Sequence, residues 1–226
     1  MSSKTYRTVL ALLAVMLMAP ATAAIAADQS VLDAGIRHIE RQWAHITYQV
    51  KNEDEQDKQM RAILAEAGAL SDRYPGHAEP LIWQGVVASS EAKYAGTFSA
   101  LGFAKQARDL FERAGRLDYR ALGGAVPTSL GVLYYMVPGF PLGFGDDDKA
   151  RQYLEQGVQI SPGGLDANYF YGDFLYRQGE YRKAATVLKR ALAAPAHPDR
   201  PVWDAGRRAE VHALLNKVGD KLASSR

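Results

Sequence analysis

The chain has 226 residues, 47% of them hydrophobic and 23% charged, which are values of a folded chain and exclude a disordered one. Its formal charge of +2 is too small to imply a polyanionic partner. It has no cysteine, which excludes disulfides, thiolate metal sites and a lipid-bearing cysteine, and leaves the core to hold the fold.

Lys4 and Arg7 open the chain, Val9 to Met18 is apolar, Pro20 breaks the run, and Ala24-Ile25-Ala26 has the small-x-small pattern of a cleavage site. This is the layout of a secretory signal peptide, cut after Ala26 or Ala27. The apolar run is too short for a bilayer span, which takes about 20 residues. Residues 1–27 are therefore set apart, and 28–226 are read as a single domain. Loss of Lys4 and Arg7 brings the 27 basic residues down to 25, equal to the 25 acidic ones. A neutral mature chain argues against nucleic acid as partner. The expected address is the periplasm, with the membrane met only through the removed signal peptide.

The first mature helix is expected from about Gln29 to Val50. Leu32, Ile36, Ile39, Trp43, Ile46 and Val50 form one apolar seam at spacings of three and four, read as a face packed on the rest of the chain. A second helix from Lys58 turns Met60, Ile63, Leu64, Ala67 and Leu70 inward and stops at Tyr74-Pro75-Gly76. A third, from Ala78 to about Tyr94, carries Leu81, Ile82, Gly85 and Val86 inward. Ala107, Phe111 and Ala114 mark its partner, after a small, apolar insertion around Ala95 to Ala104 that either lengthens both helices or packs as a lid. Thr128 to Met136 reads as a short helix. Residues 137–145, with Pro138, Pro141 and three glycines, cannot continue it. Asp146 to Asp148 then cap the next helix and complement its dipole. The last helix, from about Val202 to Leu222, buries Val211, Leu214, Leu215, Val218 and Leu222, pairs Asp204 with Arg208, and is given a polar outer face of Arg207, Glu210 and Lys217.

Two stretches repeat one pattern. Ala150, Leu154 and Gly157 recur as Ala184, Leu188 and Ala191, offset by 34 residues, and Pro162 recurs one residue early as Pro195. With Leu165 as first position, Gly172 is the small residue of the first helix of its pair, and Ala184, Leu188 and Ala191 are the small, large and small residues of the second. Small residues let two helices cross closely while the large one fills the gap. The 34-residue period and this pattern resemble the tetratricopeptide repeat family, best over 131–164 and 165–198. The implied fold is all-α: a tetratricopeptide-like helical-hairpin solenoid with divergent, insert-bearing repeats and a C-terminal capping helix.

No catalytic constellation stands out. His38, His45, His77, His197 and His212 lack a metal spacing, and no nucleophile elbow or phosphate-binding loop occurs. The expectation is no enzyme, no metal and no cofactor. Aromatic residues instead crowd one part of the chain. Neighbours on a helix diverge by about 100°, so Tyr169, Phe170 and Tyr171 cannot all be buried on one face. Tyr134, Tyr135, Phe140, Phe144, Tyr169 and Tyr171 are either core or the wall of a pocket for a small apolar ligand, with tyrosine hydroxyls as polar points.

The segment Gly139-Phe-Pro-Leu-Gly-Phe-Gly-Asp-Asp-Asp-Lys-Ala150, followed by Leu165-Asp-Ala-Asn-Tyr-Phe-Tyr-Gly172, further resembles the periplasmic T-component family of TRAP-type transporters. That resemblance implies a helical protein with an apolar groove and a periplasmic substrate-binding protein as partner. Two functions follow. The first is a non-enzymatic scaffold that holds a protein partner on the concave face of its repeats. The alternative is an accessory component of a TRAP-type system that binds a small apolar ligand between repeats.

Overall fold

The computed structural model describes the backbone of residues 3–224 and the side chains of 26–96 and 99–224. Its described residues form an all-α fold of helices α1 (Ser3–Tyr48), α2 (Glu53–Arg73), α3 (Ala78–Glu91), α4 (Thr97–Leu117), α5 (Ala121–Met136), α6 (Asp147–Ile160), α7 (Leu165–Arg177), α8 (Tyr181–Leu192) and α9 (Pro201–Ser224). The chain divides into two units, Met1–His38 and Ile39–Arg226. The first holds most of α1, including the segment read as a signal peptide, whose side chains up to residue 25 lie outside those described. Among the described residues no helix is long and apolar enough to cross a membrane.

Within the second unit the even helices pair with the odd ones that precede them: α3 with α4, α5 with α6, α7 with α8. A glycine on each odd helix sets the approach. A Cβ on Gly85 would lie 2.7 Å from the Phe111 ring, on Gly131 2.6 Å from Leu154 Cγ, and on Gly172 2.6 Å from Leu188 Cγ. The small partners expected on the even helices, Ala107, Ala114, Ala150, Ala184 and Ala191, are all fully buried. The expected repeat pairs are therefore present as packed hairpins, and α3/α4 is an earlier copy.

Local signals fix the helix ends. Asn52 and Asp146 accept N–H bonds from Glu55 and Lys149 at 2.9 and 3.0 Å, so the acidic run before α6 begins as a cap. The insertion after Tyr94 extends α4 forward to Thr97. The helix expected from Thr128 starts earlier, beyond a left-handed turn at Leu122, Gly123 and Gly124. Pro127 sits in its first turn, where no N–H is needed.

The odd helices also touch one another in series, α3 to α5, α5 to α7 and α7 to α9. The even helices α4, α6 and α8 make no such contact among the described residues. The odd row is therefore the inner, tighter side of the stack.

Candidate functional site

The end of α1 reaches both ends of this inner row. Trp43 packs edge-on against Trp83 of α3, ring centroids 6.1 Å apart, and its indole N–H donates to Ser90 Oγ at 2.9 Å. Five residues on, the Tyr48 ring covers Gly206 of α9, where a Cβ would lie 2.5 Å from Tyr48 Cγ. The Tyr48 hydroxyl donates to Glu210 Oε2 at 3.3 Å, and Glu40 forms an ion pair with Arg200. Five helical residues rise only about 7.5 Å, whereas four helices side by side at 8–10 Å would hold α3 and α9 roughly 25 Å apart. Both can meet Trp43 and Tyr48 only if the row curls round them. Residues 39–48 thus occupy part of the inner face, and Ile39, Trp43, Ala44 and Ile46 are buried there.

This closure explains a correction to the last helix. Arg207, expected on its solvent face, is 6% exposed. Its Nε bonds Asp166 Oδ1 at 2.7 Å and its Nη1 bonds Glu210 Oε2 at 2.5 Å. Its guanidinium lies 4.6 Å from the ring centres of both Tyr169 and Phe170. Burial opposes its charge, but the carboxylates of Asp166 and Glu210 outweigh that and raise its pKa. Burial likewise pushes the Tyr169 hydroxyl up to about 12. On the outer side Asp204 and Arg208 pair at 2.9 Å as expected, and Arg208 donates to the carbonyls of Leu192, Ala194 and Pro195 after α8.

The six aromatic candidates go to several places. Tyr134 is buried, stacked on Tyr153 and edge-on to Phe144, each at 5.6 Å, and Arg108 of α4 lies 4.5 Å over Phe144. Tyr135 turns to α7, where its hydroxyl donates to Asp173 Oδ2 at 2.9 Å. Tyr169 faces α9 through Arg207, and Tyr171 donates to Glu155 on α6 at 2.9 Å. Phe140 stands 93% exposed at the tip of the loop between α5 and α6. Tyr134 and Phe144 are thus brought together as packing, Tyr135 and Tyr171 pack against the same cluster, and Phe140 and Tyr169 lie apart from it.

Between α5 and α7 the inner row carries a polar group at its open edge. Asp173 Oδ2 also accepts from Arg177 Nε at 2.9 Å, and the Arg177 guanidinium lies 5.4 Å over the Tyr135 ring. The Arg177 side chain stays 48% exposed while its Nε is held by Asp173. Such a fork matches a carboxylate.

A second cluster lies between α2 and α3. Glu91 is fully buried. Arg61 Nε lies 3.0 Å from its Oε1, an ion pair lacking hydrogen-bond geometry, and bonds Asp57 Oδ1 at 2.9 Å. Burial first, then contact with Asp57, pushes the Glu91 carboxyl up to about 7. Beside Arg61 opens a cavity of about 420 Å³ lined by Tyr94, Ser99, Phe103 and Gln106, among others; none of the six aromatic candidates lines it. Nothing in the one-dimensional pattern marks Glu91, which sits beside two serines at a helix end. Among the described residues no group of three metal-ligating side chains converges.

Residues 142–218 match the family model described as tetratricopeptide repeat, from within the α5–α6 loop through most of α9. No curated protein matches the chain. Among solved structures it is similar to a thermophilic TPR protein of Thermus thermophilus, with 15% identity over 85% of this chain and 95% of that one and a TM-score of 0.55. At that identity the likeness shows the fold alone. It is also similar to YrrB, described as a TPR protein with an unusual peptide-binding site (19% identity, 73% and 78% covered, TM-score 0.40), and to MamA (15% identity, 78% and 97% covered, TM-score 0.42). The chain is an all-α helical-repeat protein. Over residues 142–218 it is similar to tetratricopeptide repeats.

Proposed function

We propose that this protein is a non-enzymatic periplasmic scaffold that holds a segment of a protein partner on its inner face, at the α5–α7 edge. The observation that carries this reading is the Tyr135–Asp173–Arg177 group. A guanidinium fixed at Nε, on a side chain that stays half-exposed, is set to receive a carboxylate of an incoming chain without reordering. Residues 39–48 already take the stretch between α3 and α9, so the partner meets an inner face narrower than that of an open repeat stack. The absence of a convergent acid/base or nucleophile group in the sequence is in keeping with a scaffold.

Export rests on the first 27 residues, and protein chemistry tests it directly. Material released by osmotic shock should begin at Ala27 or Asp28; a product that keeps Met1 and stays in the cytoplasm contradicts it. The finer reading, an accessory component of a TRAP-type system, rests on the sequence resemblance of 139–150 and 165–172 and makes a periplasmic substrate-binding protein the first partner to try. The decisive binding experiment compares wild type with Arg177→Glu in co-purification from periplasmic extract. A partner lost in the variant, with helicity and Tm kept, supports the inner-face reading. The same partners retained by both proteins contradict it.

A further inference from the structure

The loop between α5 and α6, residues 137–146, is built as a rigid support for an apolar tip. Leu142 and Gly143 N–H both bond Gly139 O at 3.1 Å, Gly145 N–H bonds Pro138 O at 2.9 Å, and Asp146 N–H bonds Tyr134 O at 2.8 Å. The returning strand passes so close that a Cβ on Gly145 would lie 1.9 Å from Val137 O, and one on Gly143 2.4 Å from Pro138 O. Only glycine fits at either position. Phe144 anchors the base between Tyr134 and Arg108. Above this base Phe140 is 93%, Leu142 75% and Met136 54% exposed. Of the other large apolar side chains exposed among the described residues, Val31 stands alone, and Leu117 and Leu122 are five residues apart where α4 meets α5, each a little under half exposed. An ordered loop that, with the last residue of α5, shows three large apolar groups to water is the mark of an interaction site rather than of a solvated connection.

Charge beside the tip restricts what covers it. Residues 137–145 contain no charged side chain. Asp146 follows and is paired with Lys149 at 3.5 Å, Arg108 lies over the Phe144 ring at the base, and Asp147 and Asp148 at the start of α6 have no cationic partner among the described residues; Asp147 accepts from Gln178 Nε2 at 2.8 Å. These carboxylates repel an anionic bilayer and attract a cationic rim. We infer that Phe140 and Leu142 form a docking knob that enters an apolar socket, rimmed by lysine or arginine, on a protein partner. This rests on the scaffold reading but not on the Arg177 edge. Because the loop is already ordered, docking costs little conformational entropy, as a pre-organised anchor requires.

The test places a photo-crosslinking phenylalanine analogue at position 140, and separately at 117, in the full chain inside the producing cells. A single protein is expected to be cross-linked from 140 and not from 117. It is then identified by mass, purified and titrated. It should bind Phe140→Ala/Leu142→Ala at least tenfold more weakly than wild type, and Asp148→Lys severalfold more weakly with a smaller dependence on salt. Both variants change exposed side chains, so their Tm should stay within about 2 °C of wild type. Four results overturn the inference: no adduct from 140, equal affinity of the double variant, sedimentation of the chain with phosphatidylcholine/phosphatidylglycerol vesicles that needs Phe140, or a concentration-dependent dimer that the double variant abolishes. If Arg177→Glu abolishes partner binding while the loop variant binds normally, the docking knob falls and the inner-face reading stands.

Discussion

The α7/α8 hairpin and the α9/α1 contact use the same device with different connectivity. In each, a glycine on an odd helix receives one large side chain at 2.5–2.6 Å from where a Cβ would be. For Gly172 the donor is Leu188, sixteen residues on, and the pair closes through a short turn. For Gly206 the donor is Tyr48, from near the other end of the chain. The first contact builds a repeat. The second curls the row of odd helices back on α1 and buries Arg207, at the cost of inner face that a partner could otherwise use.

The largest expected effect falls on the long-range contact. Arg207→Ala removes a buried side chain from the Tyr169 and Phe170 rings as well as the cation of Asp166 and Glu210, and should cost about 4 kcal/mol, lowering Tm by about 10 °C or more in a thermal melt. A loss within the small range of a surface substitution would break the comparison by making α9 a loosely attached cap. The local contact comes next. Gly172→Leu drives a side chain into Leu188 and should cost about 3 kcal/mol, seen as a lower urea midpoint; an unchanged midpoint would mean that the α7/α8 crossing is not close.

Glu91 sharpens the comparison with a third region, the junction of α2 and α3, through pH. An acid whose folded pKa lies above its unfolded one binds more protons when folded. Its stability term is therefore complete below the ordinary value near 4.5 and is lost as pH rises through about 7. Glu91→Gln should raise stability at pH 8.5 by about 2 kcal/mol and do little at pH 4.5. A gain that is the same at both values would show that Glu91 is ionised throughout. Asp57, held below its usual range by Arg61, acts the opposite way and only at more acid pH. The smallest effect is expected for Tyr48→Phe, which removes one hydrogen bond to Glu210 but keeps the ring over Gly206, for about 1 kcal/mol. A cost as large as that of Arg207→Ala would shift the weight of the closure from packing to the hydroxyl.

How far these regions could be read in sequence follows the same division. Gly172, Ala184, Leu188 and Ala191 announce their packing because repeat contacts lie within one period. Gly206 falls 34 residues after Gly172, so the small site of a further odd helix was present as a signal. What fills it was not, because Tyr48 belongs to no repeat pattern. Arg207 reads as a solvent-facing residue in a helical stripe, and only the return of α1 makes it interior. Phe140 shows the converse error. Hydrophobicity suggests burial, but loop geometry set by Gly143 and Gly145 turns the ring outward. Glu91 carries no pattern at all, since a buried acid depends on neighbours from another helix.

The closure itself is the central claim, and the chain's lack of cysteine makes it directly measurable. Gly206 Cβ would lie 2.5 Å from Tyr48 Cγ, so the two β-carbons come within about 4 Å, the range of a disulfide. In Tyr48→Cys/Gly206→Cys, mild oxidation of the dilute protein should give an intramolecular bond, seen as a monomer of altered mobility that reverts on reduction, with helicity preserved. Two thiols that stay free in a folded monomer, under conditions that oxidise an exposed control pair, would contradict the curl of the inner row around residues 39–48.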